Sequence, residues 1–379
     1  MKNRAGYERQ NLSGDLAYFS FVPAKLPPEP ELEVKGELLS SLMEAKAQLA
    51  VLNKLSSRIR DDDLFLYMYV RKEALLSSQI EGTQATLEDI LAPEYGGAKN
   101  ADVQDVSNYV AAINYAVKRL DTLPLSNRLL KETHSVLLSS GRGSEKNPGE
   151  FRRSQNWIGG AGSSLKNARY IPPSVDDMLE GMSDLEKFIH EDDGMDPLIK
   201  AGLIHYQFET IHPFLDGNGR IGRMLITLFL LEKGLISSPI FYISYFLKQN
   251  RVEYYDRLSE VRHSGNYEQW LNFFLQAVSA CSLSTVSSIE LLESLHKKNY
   301  EKIASSKSNK NALLLFSYLE KHPIIDISGA SSALGLSYNS VSLAVRKLQE
   351  SGILFQVNGQ ARNRSFCYQE YLDILKSDI

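Results

Sequence analysis

The sequence predicts a mainly α-helical chain that carries a small β-hairpin flap and ends in a winged helix. Three observations predict it. Apolar residues recur at helical spacing in one segment after another up to about residue 300. Strand-prone pieces in that part are confined to NWI and RYI within GEFRRSQNWIGGAGSSLKNARYIPPS (149–174), whose glycines and paired prolines suit a hairpin-like flap. Beyond a polar break, three short helical stretches precede two strand-like runs about Asn358-Gly359, a favoured two-residue hairpin turn. Helix, helix–turn–helix and hairpin in that order describe a winged helix.

Taken in order, residues 20–33 are rich in proline (Pro23, Pro27, Pro28, Pro30) and read as an extended arm. Helical spacing follows at about 36–59 and 63–81. In the second stretch Leu64, Met68, Leu75, Leu76 and Ile80 fall mostly on one side, and Asp61 to Asp63 suit a helix start. Further helices are predicted near 102–120, 126–140, 174–191, 196–211, 219–233, 251–262 and 267–298. The domain reading is 1–95 for the arm and first helices, 96–302 for a catalytic core, 303–310 for a linker and 311–379 for the winged helix-turn-helix.

With 379 residues, 43% of them hydrophobic, the chain can bury a core of two or three domains. A net charge of −4 argues against a protein that coats nucleic acid generally, though not against a locally basic module. Two cysteines, Cys281 and Cys367, make neither a disulfide framework nor a zinc pattern, so a cytoplasmic location is expected. The first residues lack the apolar core of a signal peptide, and the apolar run 224–231 is far too short to span a bilayer. No membrane role is expected.

One segment carries chemistry: HPFLDGNGRIGR, 212–223. A glycine-rich loop opens a strongly apolar helix, and Gly217, Asn218 and Gly219 can turn consecutive amides into an anion nest where the helix dipole also favours phosphate. Arg220 and Arg223, three apart, can clamp phosphate oxygens. Asp216 could hold Mg²⁺, which usually bridges a carboxylate and substrate phosphates. His212 has the titration range of a general base near neutrality. Blander readings exist: a turn, a structural histidine such as His205, or arginines paired with Glu209 and Glu232. They would all have to hold together.

A second segment, SSQIEGT (77–83), poses a problem. Gly82 looks like a helix C′ stop, so Glu81 would sit in the last turn, where the macrodipole disfavours an anion, with Ser77 on the same face. Such a carboxylate calls for a cation from elsewhere in the chain.

The 212–223 segment resembles the signature of the Fic (filamentation-induced-by-cAMP) family, HPFx(D/E)GNGRxxR, and fills every fixed position. LAYFSFVPAKLPPEPELE, NWIGG…ARYIPP and YISYFLKQNRVEYYDRL look like the family's N-terminal arm, target-docking flap and base-closing segment, so the resemblance covers most of residues 15–300. It implies a Fic-type helical core and a protein adenylyltransferase, which moves AMP from ATP to a Ser, Thr or Tyr hydroxyl of a target protein. His212 would be the base, Asp216 the Mg²⁺ ligand, and Gly217, Asn218, Gly219, Arg220, Ile221, Gly222 and Arg223 the nucleotide-binding run. Asn250 and Tyr254 would belong to the base pocket, Tyr254 being equally well explained by helix packing. The family's inhibitory motif, [S/T]xxxE[G/N], is matched by Ser77, Glu81 and Gly82, which names Arg223 as the cation that Glu81 requires. Flap hydroxyls Ser163, Ser164 and Tyr170 are candidate self-modification sites.

Two rival readings stay open at this point. Relatives of the fold transfer phosphate, UMP or phosphocholine, and the same glutamate supports AMP removal in some. Alternatively the chain is a nucleotide-sensing DNA-binding regulator, with SYNSVSLAVRKLQ as recognition helix and Arg362 and Arg364 in the wing. The few cations of residues 305–379 leave DNA and protein contact as equal choices there. A homodimer is compatible with the sequence and is not implied by any residue.

Overall fold

The structure is a computed structural model that describes residues 2–56, 64–91, 101–160, 162–305, 310–357 and 364–377. In chain order its strands and helices begin with β1 (Lys2–Asn3), β2 (Gly6–Asn11), β3 (Tyr18–Pro23), α1 (Gly36–Ser56), α2 (Leu64–Ile80) and α3 (Leu87–Leu91). They continue with α4 (Ala101–Leu120), α5 (Asn127–Leu137), α6 (Val175–His190), α7 (Pro197–Ile211), α8 (Asn218–Glu232), α9 (Ser244–Gln249), α10 (Arg251–Ser264) and α11 (Tyr267–Ala304). The C-terminal set is α12 (Lys310–Leu319), β4 (Ile324–Asp326), α13 (Ile327–Leu334), α14 (Tyr338–Glu350), β5 (Phe355–Gln356), β6 (Ser365–Cys367) and α15 (Gln369–Lys376). The expected mainly helical core is what is observed.

Helix α7 is the centre of the molecule. Asp196 caps it by accepting the Leu198 N–H at 2.9 Å, and Pro197 occupies the first turn, where no donor is wasted. Every residue from Leu198 to Ile211 is buried, the fate of a helix that is apolar on most of its circumference. α8 packs along α7, and both present their adjoining ends to the 212–217 loop. α1 lies along α11, burying Leu38, Leu42, Ala45, Leu49 and Leu52 at helical spacing. α2 is held between α4 and α9.

Several elements depart from the sequence-based expectation. The N-terminal arm is a three-stranded antiparallel sheet, ordered β1–β2–β3, with Gly6 opposite Pro23 and Asn11 opposite Tyr18. β2 (GYERQN) exposes its middle residues and so lacks the alternation that marks a strand. The short helices α3, α9 and α15 were not anticipated, being too brief for a periodic pattern. α11 runs on through Ile303 and Ala304, so the linker does not begin at 303; residues 306–309 lie outside the described residues. α11 is also long and apolar enough to cross a membrane by length and composition, with a window of mean hydropathy 1.2, and 56% of that window is buried inside the protein. Its packing on α1, α7, α9 and α10 is that of a core helix.

The flap is slighter than a hairpin: Ile158 and Tyr170 form an isolated antiparallel bridge. In the C-terminal part, β4, β6 and β5 make one antiparallel sheet, with Ile324 and Phe355 both opposite Cys367. α13 and α14 start from Asp326 and Ser337, whose side chains accept from the Gly329 and Ser340 amides. The predicted Asn358-Gly359 turn, Arg362 and the Asp61–Asp63 helix start lie outside the described residues.

Candidate active site

α7 ends at His212, whose backbone is left-handed (φ 51°, ψ 61°), an uncommon state for a residue with a side chain. Its surroundings hold it there. The His212 N–H donates to the Phe208 carbonyl at 2.9 Å, while Arg152 Nε and Asn156 Nδ2 donate to the His212 carbonyl at 3.1 and 3.2 Å. Imidazole Nδ1 stands 3.3 Å from the Glu209 carbonyl. Acting as donor there, it leaves Nε2 with a free lone pair. Burial pushes the His212 pKa down to about 4, so the ring is neutral at pH 7. That differs from the near-neutral value expected of an exposed histidine, because desolvation disfavours the cation.

Gly217 adopts φ 77° and starts α8, whose first amides have no intrahelical acceptors. Asn218 is buried, and its side chain closes the loop on itself: Oδ1 accepts the Phe214 N–H and Nδ2 donates to the Phe214 carbonyl, both at 2.8 Å. This clamp fixes the loop at the point where the backbone nest is expected. Asp216 Oδ1 accepts the Gly217 N–H at 2.6 Å and lies 3.7 Å from Arg220 Nη2. Arg220 is 1% exposed, yet none of its three guanidinium nitrogens has a hydrogen-bond partner. Ile221 is a core residue. The two glycines leave room for carboxylates: a Cβ on Gly219 would meet Glu81 Oε1 at 2.1 Å, and one on Gly222 would meet Glu209 Oε1 at 2.2 Å.

The cation that Glu81 calls for is Arg223. α2 stops at Ile80, and Gly82 turns the chain with φ 99°. Arg223 Nη2 donates to Glu81 Oε1 at 2.8 Å and to the Ser77 carbonyl at 2.9 Å, and Nε donates to Ser77 Oγ at 2.9 Å. Burial works against both charges. The pair outweighs it, so the Glu81 pKa lies below the usual carboxylate value and that of Arg223 above its own. A second cation, Arg142, donates to the Glu81 carbonyl at 3.3 Å and faces the negative end of α2.

Glu81, Glu209, His212, Gly219 and Arg223 line one cleft of about 410 Å³ together with Gly159 and Tyr170 of the flap, whereas Asp216, Gly217, Asn218, Arg220, Ile221 and Gly222 do not line it. Tyr254 also lines it, and its hydroxyl is 2.8 Å from Nε2 of the buried His205, whose Nδ1 reaches the Gly222 carbonyl at 2.9 Å. Tyr254 is thus both wall and packing residue. Asn250 sits at the α9–α10 junction, donates to the Phe246 carbonyl at 3.0 Å and does not line the cleft. Of the flap hydroxyls, that of Tyr170 donates to the Thr210 carbonyl at 2.6 Å, and Ser164 pairs with Asn167.

Sequence reasoning missed His134, Arg152 and Asn156, which hold the loop from outside, and Glu209 as a cleft residue. No motif marks them. The readable signal was a polar residue on the apolar face of a predicted helix, and His134 on α5 has it. Asp216 is a lone carboxylate beside the α8 N-terminus, and among the described residues no group of three or more metal-ligating side chains occurs. That donor set fits Mg²⁺, which is normally held by one or two carboxylates together with phosphate oxygens.

The Fic/DOC family N-terminal model matches residues 39–118, and the Fic/DOC family model matches residues 124–230. The chain is similar to the "Protein adenylyltransferase Fic" of Aedes aegypti, 28% identical over 188 residues, or 49% of this chain and 34% of that protein. It is likewise similar to the Drosophila grimshawi protein of that name, 27% identical over 250 residues, 64% of this chain and 45% of the other. The chain therefore spans less than half the length of these curated relatives. A crystal structure of a Fic family protein from Desulfovibrio desulfuricans G20 superimposes with a TM-score of 0.58 at 19% identity, covering 90% of this chain and 98% of that one. This likeness speaks to the fold alone.

Proposed function

We propose that the chain, which matches the Fic/DOC family models over residues 39–118 and 124–230, transfers AMP from ATP to a Ser, Thr or Tyr hydroxyl of a target protein, with Glu81 restraining the reaction. One observation carries the reading: a neutral His212, the open N-terminus of α8 and an arginine capped by Glu81 share a single cleft. In this scheme Nε2 of His212 takes the proton of the target hydroxyl. The hydroxyl oxygen bonds to the α-phosphorus as the bond to pyrophosphate breaks. The first amides of α8 and Arg220 carry the phosphate charge, and the work is mostly positioning and charge stabilisation. Mg²⁺ on Asp216, when bound, would neutralise phosphate oxygens. Arg223 would hold the γ-phosphate, which it cannot do while its donors face Glu81 and Ser77. The relatives named protein adenylyltransferase support AMP transfer as the activity.

The test is Glu81→Gly, alone and with His212→Ala, incubated with labelled ATP and scored for self-modification. Glu81→Gly is expected to raise labelling at least tenfold. His212→Ala in that background should lower it about 100- to 10,000-fold, the usual worth of a general base. Equal labelling of Glu81→Gly and the parent would sink the restraint.

We read residues 311–379 as a winged helix-turn-helix beside the 96–302 catalytic core. α14 exposes Tyr338 and Leu343 next to Arg346, an apolar surface that favours a protein partner, a second copy included, over DNA. A gel shift of the full chain with mixed duplexes at low salt would reverse that preference. Both cysteines are free and buried, in keeping with a reducing cytoplasm.

A further inference from the structure

The 212–217 loop has four of its carbonyls captured by groups outside it. The His212 carbonyl is taken by Arg152 and Asn156, that of Pro213 by the Arg152 amide at 2.9 Å, and that of Phe214 by Asn156 and Asn218. The Asp216 carbonyl is taken by Nε2 of His134 at 3.0 Å. In a trans peptide the carbonyl and the following N–H point in opposite directions. Capture at Pro213, Phe214 and Asp216 therefore turns the Phe214, Leu215 and Gly217 N–H groups the other way, while Pro213 itself has none.

His134 is specialised for this position. Its Nδ1 accepts the Gly149 N–H at 2.9 Å, so the ring proton must reside on Nε2, where it can only donate. The ring stacks on Phe214 with centroids 3.8 Å apart and planes 6° from parallel. It is fully buried, and burial pushes its pKa to about 4, so the tautomer and not the cation is what matters at neutral pH. The segment after α5 also backs Asp216 directly: a Cβ on Gly143 would come within 2.7 Å of Asp216 Oδ2.

We propose that His134 is a positioning residue for the phosphate site: its Nε2–H fixes the 216–217 peptide, whose Gly217 N–H holds the Asp216 carboxylate at 2.6 Å, and so sets both that carboxylate and the turn that opens α8. His134 touches no reacting atom in this scheme and acts through the loop. The inference rests on the adenylyl-transfer reading for its kinetic consequence, though not for its structural one.

The test compares His134→Phe with His134→Gln, each in the Glu81→Gly background. Phe retains a ring to stack on Phe214 and removes the donor. Gln gives up the stack but places an amide N–H near the position of Nε2. Lost outer-shell partners typically cost about 10- to 100-fold. His134→Phe is expected to lower kcat by that factor, to weaken ATP binding in calorimetric titration, and to speed hydrogen exchange of the 214–220 amides. His134→Gln should stay within about threefold of the Glu81→Gly parent in kcat even where its melting temperature falls. Unchanged kcat and unchanged exchange in His134→Phe would overturn the proposal. So would a loss in His134→Gln as large as that in His134→Phe, which would mean that the stack alone matters. If His134→Phe does not fold, His134→Gln decides: retained turnover supports the donor, lost turnover removes it. An inactive Glu81→Gly parent would count against adenylyl transfer instead, and the exchange measurement would still judge His134.

Discussion

Arg220 and Arg223 stand one turn apart on α8, each 1% exposed, and their surroundings are opposite. Arg223 has three hydrogen bonds, all to Ser77 and Glu81 at the end of α2. Arg220 has none among the described residues, and it faces Asp216 Oδ1 at 3.7 Å. Leaving buried donors unmet is costly. The difference therefore reads as a division of the anion site into a half already filled by the protein's own carboxylate and a half held open. Under the proposed function, restraint by α2 would act on one half, and nucleotide could still engage the other in an unproductive pose.

The largest effect on nucleotide binding expected from this comparison is at the open half. Arg220→Met, which keeps the buried volume and removes the donors, should weaken ATP binding by about 10- to 100-fold with or without Glu81, given about 1.5–3 kcal/mol for hydrogen bonds to a charged group. Isothermal titration of both backgrounds measures it. A loss seen only after Glu81 is replaced would mean that the two halves are not independent.

At the filled half the effect is on stability. Glu81→Gly leaves Arg223 buried without its carboxylate, a change that typically costs about 3–5 kcal/mol, and Glu209 across the cleft supplies only part of the missing counter-charge. The variant should melt at a lower temperature than the parent. Saturating ATP should then restore more of that stability than it adds to the parent, because phosphate supplies the missing anion. Equal stabilisation of both by ATP, followed by thermal unfolding, would break the comparison.

The two halves also differ in how legible they were. Arg223 could be paired with Glu81 before any coordinates, because a carboxylate at a helix C-terminus violates a local rule and the resemblance supplied its partner. The helical core and the Gly217 turn were legible for similar reasons, since periodicity and glycine speak locally. The open half was not. Nothing local says that Asn218 turns back on Phe214, that His134 reaches the Asp216 carbonyl from 82 residues away, or that Asn250 does not line the cleft. Those outcomes depend on which elements meet, and so did the N-terminal sheet, whose β2 has no face buried enough to pattern its sequence.

The smallest effect is also the sharpest on sign. His212 has its pKa lowered to about 4 chiefly by burial, and the Glu81 carboxylate is one of the groups raising it against that trend. Replacing Glu81 by Gly should therefore lower the value further. A histidine accepts a proton only when neutral, so the base form would persist well below the ordinary value of about 6.5. The native state then binds fewer protons at this site than the unfolded chain between those two values. Stability from His212 is accordingly present above about pH 6.5 and is lost as pH falls through its folded-state value. An NMR titration of the Glu81→Gly protein, with the His212 ring assigned by its absence in His212→Ala, reads this directly. No titration of that ring between pH 8 and 6 is expected, and a midpoint near 6.5 would mean that the cleft around His212 is wetter, and its half of the site more open, than the structure has it.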